Sequence, residues 1–271
     1  MQDFKIIKIG ISRSYADAYG FLADARNFSV WGGGDPGTAV TALGGSDWLV
    51  QVDEGKQVVL RYSQANRHGI LDFQAFRPGT QPGPAIPARL YPNGEGAELT
   101  YTYFRGPDLS AEQFTSGVEW LESDLLRLKT FLEKDRAPLS MFNSRIISVS
   151  IGRPVRDVYR FVIHPWNFPK WASLTGHRFE HRGGRDWLAN TAAGPRVIRF
   201  GEPNDFGVLD HAVFAEGETP IFGPMRVVAN EEGTLLTYTA FQRSGVSDEK
   251  FKSTVEWITS DLMTARSLLE V

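Results

Sequence analysis

Two segments of the chain place apolar residues at steps of three and four, the spacing of one face of a helix. The first set is Phe114, Val118, Leu121, Leu125, Leu128 and Leu132, and the second is Phe251, Val255, Ile258, Leu262, Ala265 and Leu269. Each set predicts a long helix with a single apolar stripe. Ser110 and Ser247 stand just before the stripes and are predicted to be N-caps. The charged positions on the remaining surface of each long helix, among them Glu119 and Asp261, are predicted to be solvated.

The same order of elements precedes each long helix. The apolar runs "KIIKIGIS" and "RIISVSIG" predict opening strands, and a short amphipathic helix follows each of them. Several strands come next, separated by turns such as "PNGEG" and "ANEEG". A strand, a short helix, an antiparallel sheet and a long C-terminal helix together predict the α+β class.

The chain repeats whole phrases at a nearly constant offset. "DARNFSVW" (24–31) matches "HPWNFPKW" (164–171), and "VEWLESDLL" (118–126) matches "VEWITSDLM" (255–263). The offset drifts only from 140 to 137, so the two copies differ by a few loop residues. This pattern predicts a tandem duplication, with one domain at 1–136 and the other at 141–271.

Composition excludes several classes of protein. The 271 residues are 42% hydrophobic and 23% charged, which is typical of a folded globular protein. The formal net charge is −3 without a basic cluster, so we expect no nucleic-acid partner. There is no cysteine, which excludes disulfides and thiolate metal sites and fits a cytoplasmic location. No signal peptide and no 18-residue apolar run is visible, so no membrane insertion is expected.

The phrases "NDFGVLDHAVF", "PMRVVANEEG" and "SDEKFKSTVEWITSDL" resemble bacterial members of the START/SRPBCC superfamily, which includes polyketide cyclase-like proteins. The resemblance covers both halves. It implies tandem helix-grip domains, in which a curved antiparallel sheet wraps around the long helix and leaves a cavity. It also implies binding of hydrophobic small molecules or lipids there, while some members of the superfamily are enzymes.

The strand register predicts which side chains face this cavity. Arg61 and Asp72 lie symmetrically about the turn "SQANRHG", as do Arg199 and Asp210 about "GEPNDFG", so each pair is predicted to face its partner across a hairpin. Alternation then points the intervening apolar residues inward. The inward set is Leu60, Tyr62, Leu71 and Phe73 in the first copy, and Ile198, Phe200, Leu209 and His211 in the second.

The second copy has smaller inward side chains than the first. Tyr62 is replaced by Phe200, Phe73 by His211, and Tyr103 by Ala240. These changes predict a filled cavity in the first domain and a ligand pocket in the second. The predicted ligand-binding residues are Trp171, Ile198, Phe200, Leu209, His211, Met225, Tyr238, Ala240, Val255 and Ile258.

Several of these residues have alternative interpretations. His211 could orient a ligand or act as an acid–base group, or its ring could be satisfied by a neighbouring group. Tyr238 could offer its hydroxyl to the ligand or belong to the core. Trp171 could pack in the core or cover the ligand. Arg226, which recurs as Arg89, could pair with a carboxylate of the fold or with a ligand anion.

Metal ions and cofactors are not expected. On a strand, His177 and His181 would be about 13 Å apart, too far to share one ion. The glycine-rich segment 31–37 lacks the strand–loop–helix context of a phosphate-binding loop.

Three functions remain open, and the oligomeric state is not predicted. The first is binding of a hydrophobic or aromatic small molecule, mainly in the C-terminal domain. The second is a polyketide cyclase- or dehydratase-type enzyme with His211 as acid–base catalyst. The third is a partner-binding protein that resembles the activators of the Hsp90 ATPase.

Overall fold

The chain forms two compact units in a computed structural model, which describes residues 1–32, 39–53, 56–173, 178–191 and 194–271. The first domain comprises residues 2–141, and the second comprises 142–271 together with Met1. His177 and most of the glycine-rich segment 31–37 lie outside the described residues.

The first domain opens with a strand and short helices, continues with a run of strands, and has a helix of 23 residues near its C-terminal end. Its elements are β1 (Phe4–Ile11), α1 (Tyr15–Leu22), a 3-10 turn (Ala25–Asn27), α2 (Phe28–Trp31), β2 (Val40–Gly44), β3 (Asp47–Asp53), β4 (Lys56–Tyr62), β5 (Phe73–Phe76), β6 (Ala88–Asn93), β7 (Gly96–Phe104) and α3 (Ala111–Glu133). The described strands pair antiparallel in the orders β1-β7-β6 and β2-β3-β4-β5.

The second domain repeats this order. Its elements are β8 (Asn143–Ile151), α4 (Val155–Ile163), a 3-10 turn (Pro165–Asn167), α5 (Phe168–Trp171), β9 (Phe179–Gly183), β10 (Asp186–Thr191), β11 (Gly194–Phe200), β12 (His211–Phe214), β13 (Ile221–Gly223), β14 (Met225–Asn230), β15 (Gly233–Gln242) and α6 (Asp248–Leu269). Its described strands pair in the orders β14-β15-β8 and β13-β12-β11-β10-β9.

Each long helix packs its apolar stripe on the strands of its own domain. Leu125 and Leu128 of α3 are buried in one core with the strand residues Leu90 and Leu99. Leu262 of α6 occupies the corresponding place in the second core. This arrangement confirms the predicted α+β class with tandem helix-grip domains.

The predicted N-caps are confirmed at both long helices. Ser110 Oγ accepts a hydrogen bond from the Gln113 amide at 3.1 Å, while Gln113 Oε1 accepts one from the Ser110 amide at 2.9 Å. This reciprocal pair is a capping box. Ser247 Oγ accepts a hydrogen bond from the Lys250 amide at 3.3 Å. Both helices therefore begin where the sequence places them.

The predicted partners of Arg61 and Arg199 are wrong. Arg61 pairs with Asp47, with its Nε 2.6 Å from Oδ1, and Arg199 pairs with Asp186 at 2.7 Å. Asp72 instead accepts a hydrogen bond from the Ala88 amide at 2.9 Å. The reason is that residues 63–72 form a loop rather than a tight hairpin, so the strand register differs from the symmetric one.

The loop between β4 and β5 is organised by one asparagine. Asn66 Oδ1 accepts hydrogen bonds from the amides of His68 and Ile70, at 3.0 and 3.1 Å. Gly69 has a φ of +69°, and a Cβ there would collide with the carbonyl oxygen of Leu90. Asn204 makes the matching bonds in the second domain. The repeated "G-x-L-D" phrase thus belongs to a loop that approaches β6 closely in the first domain and β14 in the second.

Within the described part of the chain, no helix combines the length and the apolar character needed to cross a membrane.

Candidate functional site

A cavity of about 410 Å³ lies between the strands of the first domain and α3. Its lining residues are Phe28, Trp31, Val52, Val58, Leu60, Phe73, Ala75, Ile86, Tyr101, Tyr103, Gly117, Trp120, Leu121 and Asp124. Trp120 is 53% exposed, and Ala75 is exposed too, so these two residues mark the side on which the cavity meets solvent. Most of the lining is aromatic or aliphatic.

The prediction that the first-domain cavity is filled is therefore wrong. The large aromatic residues pack on one another and on the walls instead of occupying the space between them. Phe73 stacks on Tyr62 with ring centroids 5.8 Å apart, and its ring meets Tyr101 edge-on at 6.1 Å. Tyr103 stacks on Phe114 at 5.5 Å.

Gly117 makes room for Tyr103 against the long helix. A Cβ at Gly117 would lie 2.6 Å from Tyr103 Oη and 3.1 Å from Cζ. Because Gly117 has no side chain, it leaves a slot on α3 in which the Tyr103 phenol lies. In the second copy, Thr254 stands in place of Gly117 and Ala240 in place of Tyr103, so both partners change together.

A buried carboxylate reaches this otherwise apolar cavity. Asp124 of α3 is only 2% exposed, and its Oδ1 lies 3.4 Å from Nη1 of Arg127. The same Nη1 donates to the carbonyl oxygen of Trp31 at 3.3 Å. Arg127 thus ties the carboxylate to the end of α2, and its charge offsets part of the free energy needed to bury Asp124.

The Tyr101 phenol is the other buried polar group of the lining that titrates. Burial raises the pKa of Tyr101, and the negative charges of Asp124 and Asp72 raise it further. Tyr101 therefore stays protonated at neutral pH and presents a hydroxyl that can donate a hydrogen bond.

The ten residues predicted to bind ligand lie together in the second domain. Nine of them belong to its hydrophobic core or pack directly against it. The tenth, His211, is 8% exposed and contacts the rings of Phe200 and Tyr238 at 6.2 and 5.7 Å. Strand alternation accounts for the strand members of this group, and the periodicity of α6 accounts for Val255 and Ile258. A role in ligand binding stays a prediction.

The buried imidazole of His211 is neutral at physiological pH. Burial lowers the pKa of His211, while a hydrogen bond with the Leu209 backbone and the charge of Asp210 act in the opposite direction. The ring also meets Phe168 edge-on, with centroids 5.6 Å apart. These contacts fit the interpretation in which neighbouring groups satisfy the histidine.

The second domain contains aromatic packing that the sequence pattern does not predict. Phe179 stacks on Trp187 at 4.8 Å and on Phe168 at 6.0 Å. In the first copy the position of Phe179 is held by Val40. The second copy thus has a smaller side chain than the first at Ala240 and a larger one at Phe179.

Asp261 was predicted to be solvated, and this is wrong. Its side chain is buried, and Oδ1 accepts hydrogen bonds from the amide and hydroxyl of Ser173, at 3.1 and 2.7 Å. Burial raises the pKa of Asp261, while the two bonds from Ser173 lower it. The Trp257 indole donates to Ser173 Oγ. Asp124 and Asp261 are therefore buried carboxylates at equivalent helix positions. Asp261 is bonded to Ser173, just after α5, and Asp124 is linked through Arg127 to the end of α2.

Arg89 and Arg226 occupy equivalent positions in the two copies, and each donates a hydrogen bond to a loop of its own domain. Arg89 Nε donates to the carbonyl oxygen of His68, and Arg226 Nε donates to that of Phe206, both at 3.0 Å. Each arginine thus has a structural role in its own copy, because it donates to a carbonyl group of a loop.

Trp171 is buried beside α6, and its Nε1 has no hydrogen-bond partner among the described residues. His181 Nε2 lies 3.0 Å from the carbonyl oxygen of Gly184. In the described ranges, no three His, Asp or Glu side chains are arranged to hold a metal ion.

Comparisons with known proteins give similar solved structures only. No protein-family model matches the chain, and no curated protein does either. DynU16, from the dynemicin biosynthetic locus, is 17% identical, with 100% of this chain and 98% of that chain covered and a TM-score of 0.39. StfQ, a di-domain ARO/CYC protein of the steffimycin pathway, is 12% identical, with 98% of each chain covered and a TM-score of 0.37.

The Aha1 dimer from Colwellia psychrerythraea is 18% identical, and the match covers 50% of this chain and 99% of that chain with a TM-score of 0.40. All three identities are below 20% and all three TM-scores are below 0.5. These similarities therefore carry no information about a ligand or a reaction, and the chemistry of the site rests on this chain's own residues.

Proposed function

We propose that the protein binds a hydrophobic or aromatic small molecule in the cavity of its first domain. The observation that carries this proposal is the cavity itself, about 410 Å³ in volume and lined mainly by aromatic and aliphatic side chains. Small-molecule sites have this volume and this character, with a small number of polar groups that set the orientation of the ligand. The Tyr101 hydroxyl and the Asp124 carboxylate supply such groups.

Burial of ligand carbon supplies the affinity. Each Å² of apolar surface removed from water contributes about 25 cal/mol before the free energy of association is subtracted. Aromatic rings from α2, β5 and β7 offer faces and edges to a planar ligand. Trp120 lies on the solvent side of the cavity, where a ligand would enter.

The titratable side chains His211 and Tyr101 favour ligand binding over acid–base catalysis as the function. A general base works best when its pKa is near the working pH. His211 is buried among aromatic rings of the second domain, and burial raises the pKa of Tyr101 in the first. A cyclase-type reaction with His211 as the acid–base group thus has less support than passive binding.

The test is a fluorescence titration of the full chain with N-phenyl-1-naphthylamine, a neutral aromatic probe that brightens in apolar surroundings. Val58 lines the cavity, whereas its strand neighbour Gln57 is exposed on the other face. We expect Val58→Trp to fill the cavity and weaken probe binding at least tenfold, and Gln57→Trp to leave binding unchanged. Equal binding by the two variants would contradict the proposal.

A further inference from the structure

The lining of the first-domain cavity combines aromatic side chains with one carboxylate. Six of the described lining residues are aromatic, and one is acidic. The described lining contains no Lys, Arg or His. Aromatic rings present a negative face, so a ring of them attracts an organic cation. An anion in the same place would be repelled by the Asp124 carboxylate.

The charge of Asp124 extends into the cavity. Asp124 is buried and lines the cavity, whereas Arg127 is one-third exposed and does not line it. The pKa of Tyr101, another lining residue, is raised by burial and then by the charges of Asp124 and Asp72. The charges of both carboxylates therefore disfavour a further negative charge at this phenol.

We infer that the ligand of this cavity carries a positive charge, so that its chemical class is an apolar or aromatic amine or quaternary ammonium compound. The inference rests on the proposed function and adds the charge of the ligand to it. The apolar body would pack against Leu60, Leu121 and the aromatic rings. The cationic group would lie near Asp124 and over the faces of Trp31 and Trp120.

Two probes of the same shape test this inference. N,N,N-trimethylanilinium carries a permanent charge, and tert-butylbenzene is its neutral isostere. Both are titrated into the full chain by displacement of N-phenyl-1-naphthylamine. We expect the cation to bind at least tenfold more tightly than the neutral isostere. Asp124→Asn should reduce that preference at least tenfold and leave the affinity for the neutral isostere within twofold.

Trp120→Leu provides a second variant with little risk to folding, because Trp120 is half-exposed. It should weaken binding of the cation about threefold or more, relative to the neutral isostere, through loss of one cation–π contact. If the isosteres bind equally, or if neither substitution changes their ratio, the inference is wrong while the proposed function stands. If no neutral or cationic probe binds, the proposed function itself fails.

Discussion

Nη1 of Arg127 lies 3.4 Å from Oδ1 of Asp124, three residues earlier on the same helix. Asp124 lines the first-domain cavity, while Arg127 reaches from the cavity wall towards solvent and also binds the Trp31 carbonyl. The pair therefore places a negative group inside the cavity and its counter-charge outside. It also links α3 to α2, which forms another part of the lining.

Removal of Arg127 should destabilise the first domain. Arg127→Gln leaves a buried carboxylate without its counter-charge, and we expect the free energy of unfolding to fall by about 1–3 kcal/mol. Urea denaturation measures this change. The double variant Arg127→Gln/Asp124→Asn should recover part of the loss, because it removes the uncompensated charge as well.

The matched control is Arg26→Gln, which breaks an exposed pair with Asp24. It should leave the urea midpoint nearly unchanged, since exposed ion pairs contribute little. If Arg26→Gln and Arg127→Gln lowered the urea midpoint equally, the ion pair with Arg127 would not be what stabilises the buried Asp124.

Gly117→Ala should reveal the slot that holds Tyr103. Alanine favours a helix over glycine by about 1 kcal/mol. In the wild-type background the new Cβ would lie 2.6 Å from Tyr103 Oη, so we expect no gain in stability and a displaced phenol. In a Tyr103→Ala background the same substitution should stabilise the protein by about 1 kcal/mol. Urea denaturation of the four chains checks this, and a gain of equal size in both backgrounds would show that the slot does not matter.

Gly69 should tolerate alanine much less well than Gly79. Both have positive φ values, +69° and +79°, so alanine at either position introduces about 1 kcal/mol of backbone strain. Only at Gly69 would the Cβ also collide with the carbonyl oxygen of Leu90, whereas Gly79 has open space around it. We expect Gly69→Ala to lower the thermal midpoint clearly more than Gly79→Ala. Similar midpoints would contradict the close approach of this loop to β6.

His211 should make the second domain sensitive to acid. Burial lowers the pKa of His211 below its unfolded value near 6.5. Below pH 6.5 the unfolded chain therefore binds a proton that the folded chain does not, and stability falls as pH falls. The slope approaches about 1.4 kcal/mol per pH unit.

The comparison is His211→Phe, which introduces the residue of the first copy at this position. Urea denaturation at pH 7.5 and 5.5 should show a smaller loss of stability in this variant than in the wild type. The other histidines are present in both chains, so the difference isolates His211. An identical loss in both proteins would mean that His211 titrates normally.

Much of the fold could be predicted because its signals are local. The stripe from Phe114 to Leu132 and the cap at Ser110 define α3 without knowledge of any other element. The repeated phrases likewise predict a second domain of the same kind. The register between β4 and β5 could not be obtained this way, because it depends on how Asn66 and Gly69 shape the loop between the strands.

The site was harder to predict, because a cavity depends on where side chains pack rather than on their summed volume. Tyr103 lies against Gly117, and the first domain keeps its cavity despite its large residues. Phe179 adds bulk in the second domain at the position of Val40. An acidic residue recurs beside the apolar stripe of each long helix, as Asp124 and Asp261. This recurrence was a signal in the sequence that the two carboxylates are buried.

The most direct test of the account is a crystal structure of the full chain with N-phenyl-1-naphthylamine bound. We expect ligand density between α3 and the strands of the first domain, in contact with Trp31 and Tyr101. Ligand density confined to the second-domain core around His211, with the first-domain cavity unoccupied at saturating probe, would contradict it.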